Sequence, residues 1–123
     1  EWMKIAAAAR VVEIEHLRMA NSVPICLVTS WFPADRFARI AKVYAHTASL
    51  TKAFARLGVR SVRRKLTRIT CRLAKAQERD VLELPDGAVV VVVEALHTDA
   101  AGEPIASSIA SFSAARVEFI LET

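Results

Sequence analysis

Glycine and proline are scarce in this sequence, at three and four residues of 123. That scarcity excludes low-complexity linkers and collagen-like repeats. The glycines stand alone at Gly58, Gly87 and Gly102, so there is no glycine-rich phosphate loop. Cysteine is rarer still. Cys26 and Cys71 lie in apolar stretches, read as small hydrophobes, and point to a reduced, cytoplasmic setting. His16, His46 and His97 are far apart and lack short ligand spacing, so neither a metal nor any other cofactor is expected. Ser107, Ser108, Ser111 and Ser113 lie in a strand-like run without a glycine elbow. They support no nucleophilic triad and read as solvent-facing strand residues, with pocket donors as the alternative. No apolar run approaches the roughly 20 residues that cross a bilayer, and Glu1-Trp2-Met3-Lys4 does not open a signal peptide.

What is present suits one domain: 54% apolar residues can fill a core, and 24% charged residues can cover it. The net charge of +4 is unevenly placed. Arg60, Arg63, Arg64, Lys65, Arg68 and Arg72 crowd one acid-free stretch. Without those six, 11 basic residues face 13 acids, a net of −2. Two readings of the 60–72 stripe follow. It faces an anionic partner such as phosphate, carboxylate or nucleic acid, or it is a solvated strand face paired with acids on neighbouring strands. Aromatic residues do not interleave with it, so it is not a stacking platform for single strands.

The periodicity predicts a strand over Val11–Met19, a turn at Ala20-Asn21-Ser22, and a return strand over Ile25–Phe32. Asp35–Val43 reads as helical or irregular, ending in a loop around His46. Ser49–Leu57 reads as a helix with Leu50, Phe54 and Leu57 on one face and Gly58 as its stop. A long strand over Ser61–Leu73 and a short helix over Lys75–Leu84 follow. Ala88–His97 is apolar on both faces and therefore central in a sheet. A turn at Asp99–Gly102, a strand over Ile105–Phe112 and a last short strand over Val117–Leu121 complete the chain. Short helices between hairpin-joined strands predict an α+β fold, an antiparallel β-sheet with flanking helices.

The two hairpins repeat one another. At a spacing of 80, Pro24, Ile25, Phe32, Ala34 and Arg36 match Pro104, Ile105, Phe112, Ala114 and Arg116. Upstream, at a spacing of 79, Glu15, Leu17 and Arg18 match Glu94, Leu96 and His97. One constellation suits anion binding. Ser49 is a candidate N-cap beside free N–H groups, Thr51 adds a hydroxyl, and Arg18 at a strand end offers a bidentate guanidinium. Plain capping by Ser49 and a surface ion pair for Arg18 are the alternatives.

Several motifs in order resemble one family. Glu15-His16-Leu17-Arg18-Met19-Ala20-Asn21-Ser22-Val23-Pro24-Ile25 is similar to the first hairpin of UTRA domains. Trp31-Phe32-Pro33-Ala34-Asp35-Arg36-Phe37, Ala48-Ser49-Leu50, Leu84-Pro85-Asp86-Gly87-Ala88, the Asp99-to-Pro104 turn and Arg116-Val117-Glu118-Phe119 fit as well. The resemblance runs from Val11 to Leu121. Val28-Thr29-Ser30-Trp31-Phe32-Pro33 and Arg63-Arg64-Lys65-Leu66-Thr67-Arg68 are most similar to the phosphonate-utilisation (PhnF-type) regulators.

The resemblance implies a chorismate-lyase-like fold and an effector-sensing domain of GntR-family, HutC-subfamily transcription regulators. It places the domain at 11–123, with 1–10 as a linker or remnant. The winged helix-turn-helix through which such regulators bind operator DNA would lie upstream, outside this chain. A homodimer and a small anionic effector are the implied partners, with no membrane. Residues matching Arg18, Ser49 and Thr51 hold phosphate in sugar-phosphate-sensing relatives, and His16 stands where another arginine is common. Val28 and Ala106 replace sugar-binding glutamates, and Phe112 replaces a tyrosine, which favours a phosphonate or phosphate ester over an aminosugar. Apart from the resemblance, Arg64 and Arg68 share a strand face at even spacing and either add to the same field or serve as surface residues. Ser108 and Phe112, on the hairpin that mirrors the first, are candidates for the opposite wall. The alternatives are a chorismate-lyase-like enzyme, or a nucleic-acid-binding module using the basic strand 60–72.

Overall fold

The computed structural model describes residues 10–122. Residues 1–9, most of the expected linker, lie outside the described residues. The elements run β1 (Val11–Ala20), β2 (Val23–Pro33), α1 (Ala34–Phe37), α2 (Ile40–Thr47), α3 (Leu50–Arg56), β3 (Arg63–Leu73), α4 (Ala76–Leu82), β4 (Val89–Thr98) and β5 (Pro104–Ser113). The five strands form one antiparallel sheet in the order β1-β2-β5-β4-β3. The fold is α+β, as the alternation of strands and short helices predicts.

Local chemistry accounts for the turns. Asn21 and Ser22 both adopt positive φ, at 50° and 66°, the conformation a two-residue hairpin needs to match strand twist. The second hairpin closes differently. The Asp99 carboxylate accepts from the N–H groups of Ala101 and Glu103, both at 3.0 Å, and Gly102 supplies the left-handed φ of 85°. Gly58, at φ 91°, ends α3 as its spacing predicts.

The chain folds as two compact units, and every strand contributes to both. The first unit takes β1 up to Ile14, Ser30–Thr67 and Ala95–Ser108. Its core gathers Phe32, Phe37, Ile40, Val43, Phe54, Val59 and Ile105. Phe54 meets Phe32 and Phe37 edge-on, with ring centroids 5.8 and 5.4 Å away. Val12 and Ile14, two residues apart on β1, pack on the same core. Arg36 reaches the second hairpin's turn and donates to Asp99 Oδ2 at 2.8 Å.

The second unit takes Glu15–Thr29, Arg68–Glu94 and the chain from Ile109 onward. Its apolar core is smaller: Ala74, Leu82, Val90 and Val92, with Leu84 and Ile109 against it. A polar network supplements it. Glu78, only 5% exposed on α4, receives both Arg72 guanidinium nitrogens at 2.7 and 2.9 Å, the Ser111 hydroxyl and the Lys75 N–H. Burial alone would raise the Glu78 carboxyl, but these donors outweigh it and hold it at about 2. Arg116 donates to the carbonyls of Pro24, Leu82 and Glu83.

Several expectations need correction. Residues 117–121 are not a strand. Phe119, Ile120 and Leu121 are exposed, and Phe119 instead meets Phe112 edge-on at 5.2 Å. His46 lies in the last turn of α2 rather than in a loop, because the helix runs on to Thr47 before Ala48 takes the left-handed C-cap. Ser107, Ser111 and Ser113 are buried, and Ser111 is a donor to Glu78 rather than a solvent-facing hydroxyl. Cys26 is buried as a small hydrophobe, but Cys71 is exposed because it sits on the edge strand β3. The valine-rich β4 is interior, yet the middle position of the sheet belongs to β5.

The Glu78 network carries a pH dependence whose sign is fixed. A folded carboxyl held at about 2, below its ordinary 4.5, stabilises the fold fully above pH 4.5 and loses that contribution as pH falls toward 2. Glu78→Ala leaves the half-buried Arg72 guanidinium and the buried Ser111 hydroxyl without their acceptor. It should cost about 1.5–3 kcal/mol in urea denaturation at neutral pH, the range for a charged hydrogen bond left unmade. The variant should also lose the wild type's weakening between those two pH values.

Candidate functional site

The residues expected at an anion site divide between the two units. His16, Arg18, Arg68 and Phe112 belong to the second, and Ser49, Thr51, Arg64 and Ser108 to the first.

In the second unit, His16 and Arg18 stand two residues apart on β1. Arg18 is exposed and makes no ion pair among the described residues. Burial pushes the His16 imidazole below its ordinary range, and the Arg18 charge pushes it further down. Burial also raises the Cys26 thiol, while Arg18 pulls it back. One exposed guanidinium thus acts on the half-buried His16 and the buried Cys26. Arg68 is committed elsewhere. Its guanidinium binds Glu94 on β4 at 2.8 Å, which lowers the Glu94 carboxyl and answers part of the basic stripe with a neighbouring acid. Arg72 is likewise paired with Glu78. Phe112 is half-buried on β5 against Phe119.

In the first unit, Ser49 is the N-cap of α3, in extended backbone, and its Oγ accepts from the Lys52 N–H at 3.3 Å. The capping reading is therefore correct, and the hydroxyl hydrogen stays available to donate. Thr47 Oγ1 donates to the Ser49 carbonyl at 3.0 Å and accepts from its N–H at 3.3 Å, fixing the approach to the cap. Thr51 is exposed in the first turn. Only seven residues long, α3 adds little dipole of its own, so the side chains carry what attraction this helix start has. Arg64 is exposed on β3 and makes no ion pair among the described residues. Ser108 is half-buried on β5.

One feature of the first unit was missed. His97 on β4, the repeat partner of Arg18, is half-buried, and burial first, then Arg64, push its imidazole down. The repeat alignment was the signal that could have found it. No group of three or more His, Cys, Asp or Glu able to hold a metal occurs among the described residues.

The coupling of His16 to Arg18 is measurable. Arg18→Gln removes a like charge, so the His16 pKa should rise toward 6.5 while burial keeps it below that value. An NMR titration of the imidazole reads the shift, and an unchanged pKa would remove Arg18 from its surroundings.

The UTRA domain family model matches residues 1–118. An uncharacterized HTH-type transcriptional regulator of Rhizobium meliloti is 36% identical over 113 residues, covering 92% of this chain and 46% of its own. A probable transcriptional regulator PhnF of Escherichia coli is 29% identical, covering 96% and 49%. The chain thus spans about half the length of these curated relatives. Among solved structures, a PhnF C-terminal domain superposes with a TM-score of 0.84 at 25% identity, covering 99% of this chain and 77% of that one. The C-terminal domain of Yurk from Bacillus subtilis superposes at 0.89 and 18% identity, covering 98% and 82%, and speaks to the fold alone. The described residues contain no helix long and apolar enough to cross a membrane. The chain belongs to the UTRA domain family, and it is a regulatory domain of the kind found in its transcriptional-regulator relatives rather than an enzyme.

Proposed function

We propose that this chain senses a small anionic effector, a phosphonate or phosphate ester, within a longer cytoplasmic regulator that binds operator DNA through an upstream segment. The observation that carries the reading is Arg18: an exposed guanidinium with no ion pair among the described residues, beside a half-buried imidazole held toward neutrality. Such a group offers a bidentate grip on phosphoryl oxygens. In the second unit, His16 and Phe112 are the further candidates to face the effector, and Arg68 contributes less because Glu94 neutralises it. The first unit offers its own candidates: the Ser49 and Thr51 hydroxyls, the uncommitted charge of Arg64, and Ser108. Val28 and the buried Ala106 offer no acceptor to a polyhydroxylated or amino ligand, which supports a small, largely apolar anion. The similarity to a regulator named PhnF supports the phosphonate class.

Calorimetric titration of the chain with alkylphosphonates, phosphate esters and urocanate tests the reading. Arg18→Ala should cost about 1.5–3 kcal/mol of binding, the worth of a charged hydrogen bond left unmade. Ser49→Ala should cost about 0.5–2 kcal/mol, through a lost cap and one lost contact. Silence toward all three classes, or full affinity in Arg18→Ala, would overturn it.

The regulator is further proposed to act as a homodimer, since paired half-sites call for two-fold symmetry. Sedimentation at about tens of micromolar, a range set by ordinary interface sizes, should show a species of twice the 13.5 kDa chain mass. A monomer throughout that range would count against dimerisation through this domain.

A further inference from the structure

Charge is segregated between the two units. Over residues 10–14, 30–67 and 95–108, ten lysines and arginines face four acids, a formal +6. Over residues 15–29, 68–94 and 109–122, six face eight, a formal −2. The origin is a run from Arg36 to Gln77 that holds twelve lysines and arginines and no carboxylate at all. Where the run enters the second unit, acids from elsewhere answer it: Glu94 meets Arg68, and Glu78 meets Arg72. Its earlier part is not answered. Arg56, Arg60, Arg63, Arg64 and Lys65 are all exposed and make no ion pair among the described residues.

These five cations fall within ten residues, from the last turn of α3 to the start of β3. We infer that Arg56, Arg60, Arg63 and Lys65 of this segment form a second contact surface for the phosphate backbone of duplex DNA. The inference rests on the proposed role of the chain within a DNA-binding regulator. Three features select this occupant. Arginine dominates, and guanidinium groups pair with phosphate oxygens in a fixed fork. On β3, Arg63 and Lys65 recur every second residue and so share one strand face about 6.8 Å apart, which sets two cations in succession along a line as a phosphate backbone sets its anions. The segment has no aromatic residue to anchor a protein partner or to stack on unpaired bases, and Val62 is its one exposed large apolar side chain.

Contacts of this kind read no sequence and add salt-dependent affinity beside the operator-reading element. They also place the sensing domain against the nucleic acid.

Fluorescence anisotropy of a labelled random-sequence duplex titrated with the chain tests the inference. Four phosphate contacts predict a log–log salt slope of about −3 to −4, or roughly a hundred-fold loss of affinity between 50 and 200 mM salt. The combined variant Arg56→Gln, Arg60→Gln, Arg63→Gln, Lys65→Gln should bind at least ten-fold more weakly at 50 mM salt, with a flatter slope. The charge-preserving Arg56→Lys, Arg60→Lys, Arg63→Lys should retain binding. Circular dichroism confirms folding of each. Absence of duplex binding by the wild type at 50 mM salt, or unchanged binding by the glutamine variant, overturns the inference. So does polyglutamate of matched charge competing as well as DNA, which would assign the surface to an acidic polypeptide. None of the substituted residues belongs to the proposed effector set. Effector binding without DNA binding therefore defeats this inference alone, and DNA binding without effector binding defeats the sensing reading alone.

Discussion

A carboxylate taken out of water must be matched by donors, and Glu78 is matched four times: twice by Arg72 and once each by Ser111 and the Lys75 N–H. Those donors come from β3, β5 and the start of α4, so one ionised group ties together three elements of the second unit. The arrangement answers a weakness of β3. Apart from Arg72, every residue of this edge strand is exposed, and no apolar face fixes its register. Ion pairs do that instead. Arg68 bonds Glu94 on the neighbouring β4, and Arg72 enters the Glu78 network, holding the second half of β3 in place.

The duplicated hairpins carry the equivalent constraint for the rest of the sheet. The Ala34 N–H donates to the Arg10 carbonyl, and the Ala114 N–H donates to the Val89 carbonyl, both at 3.0 Å. Donors lie 80 residues apart and acceptors 79, the two spacings of the sequence repeat. The paired arginines also act alike. Arg36, following the first hairpin, reaches the second hairpin's turn at Asp99; Arg116, following the second, reaches Pro24 beside the first hairpin's turn. This much was legible in the sequence, because a repeat is a pattern of identity and spacing and needs no knowledge of contacts. The Ser49 cap and the Gly58 stop were legible for a similar reason: their chemistry is complete within three or four residues.

Long-range polar partnerships were not legible. Glu78 and Ser111 are 33 residues apart, Arg68 and Glu94 26 apart, and no local periodicity marks either pair. The serines of β5 consequently read as solvent-facing when one of them serves a buried carboxylate. Residues 117–121 read as a strand because Val117, Phe119 and Ile120 are strand-favouring residue types, which signal a β-compatible surface without naming a neighbour. A strand exists only where a ladder partner is available, and Phe119 finds an aromatic ring instead. Of the candidate site, the residue types were legible, but how far each charge is already spent was not. Arg18 and Arg64 are uncommitted among the described residues, while Arg68 is neutralised.

That distinction between spent and unspent charge also explains why β3 can remain an edge. An exposed edge strand invites pairing with another copy of itself, and natural sheets discourage it with like charge. In an antiparallel self-pairing about Arg68, Arg64 of each copy would face Arg72 of the other, and cation would meet cation. Arg72 is already bound to Glu78, so its charge is partly cancelled, but Arg63, Arg64 and Lys65 have no acid beside them among the described residues. The uncancelled charge therefore concentrates at the N-terminal half of the strand. A partner that relieves it has to bring negative charge, and it has to bring it repeatedly, at strand-like spacing.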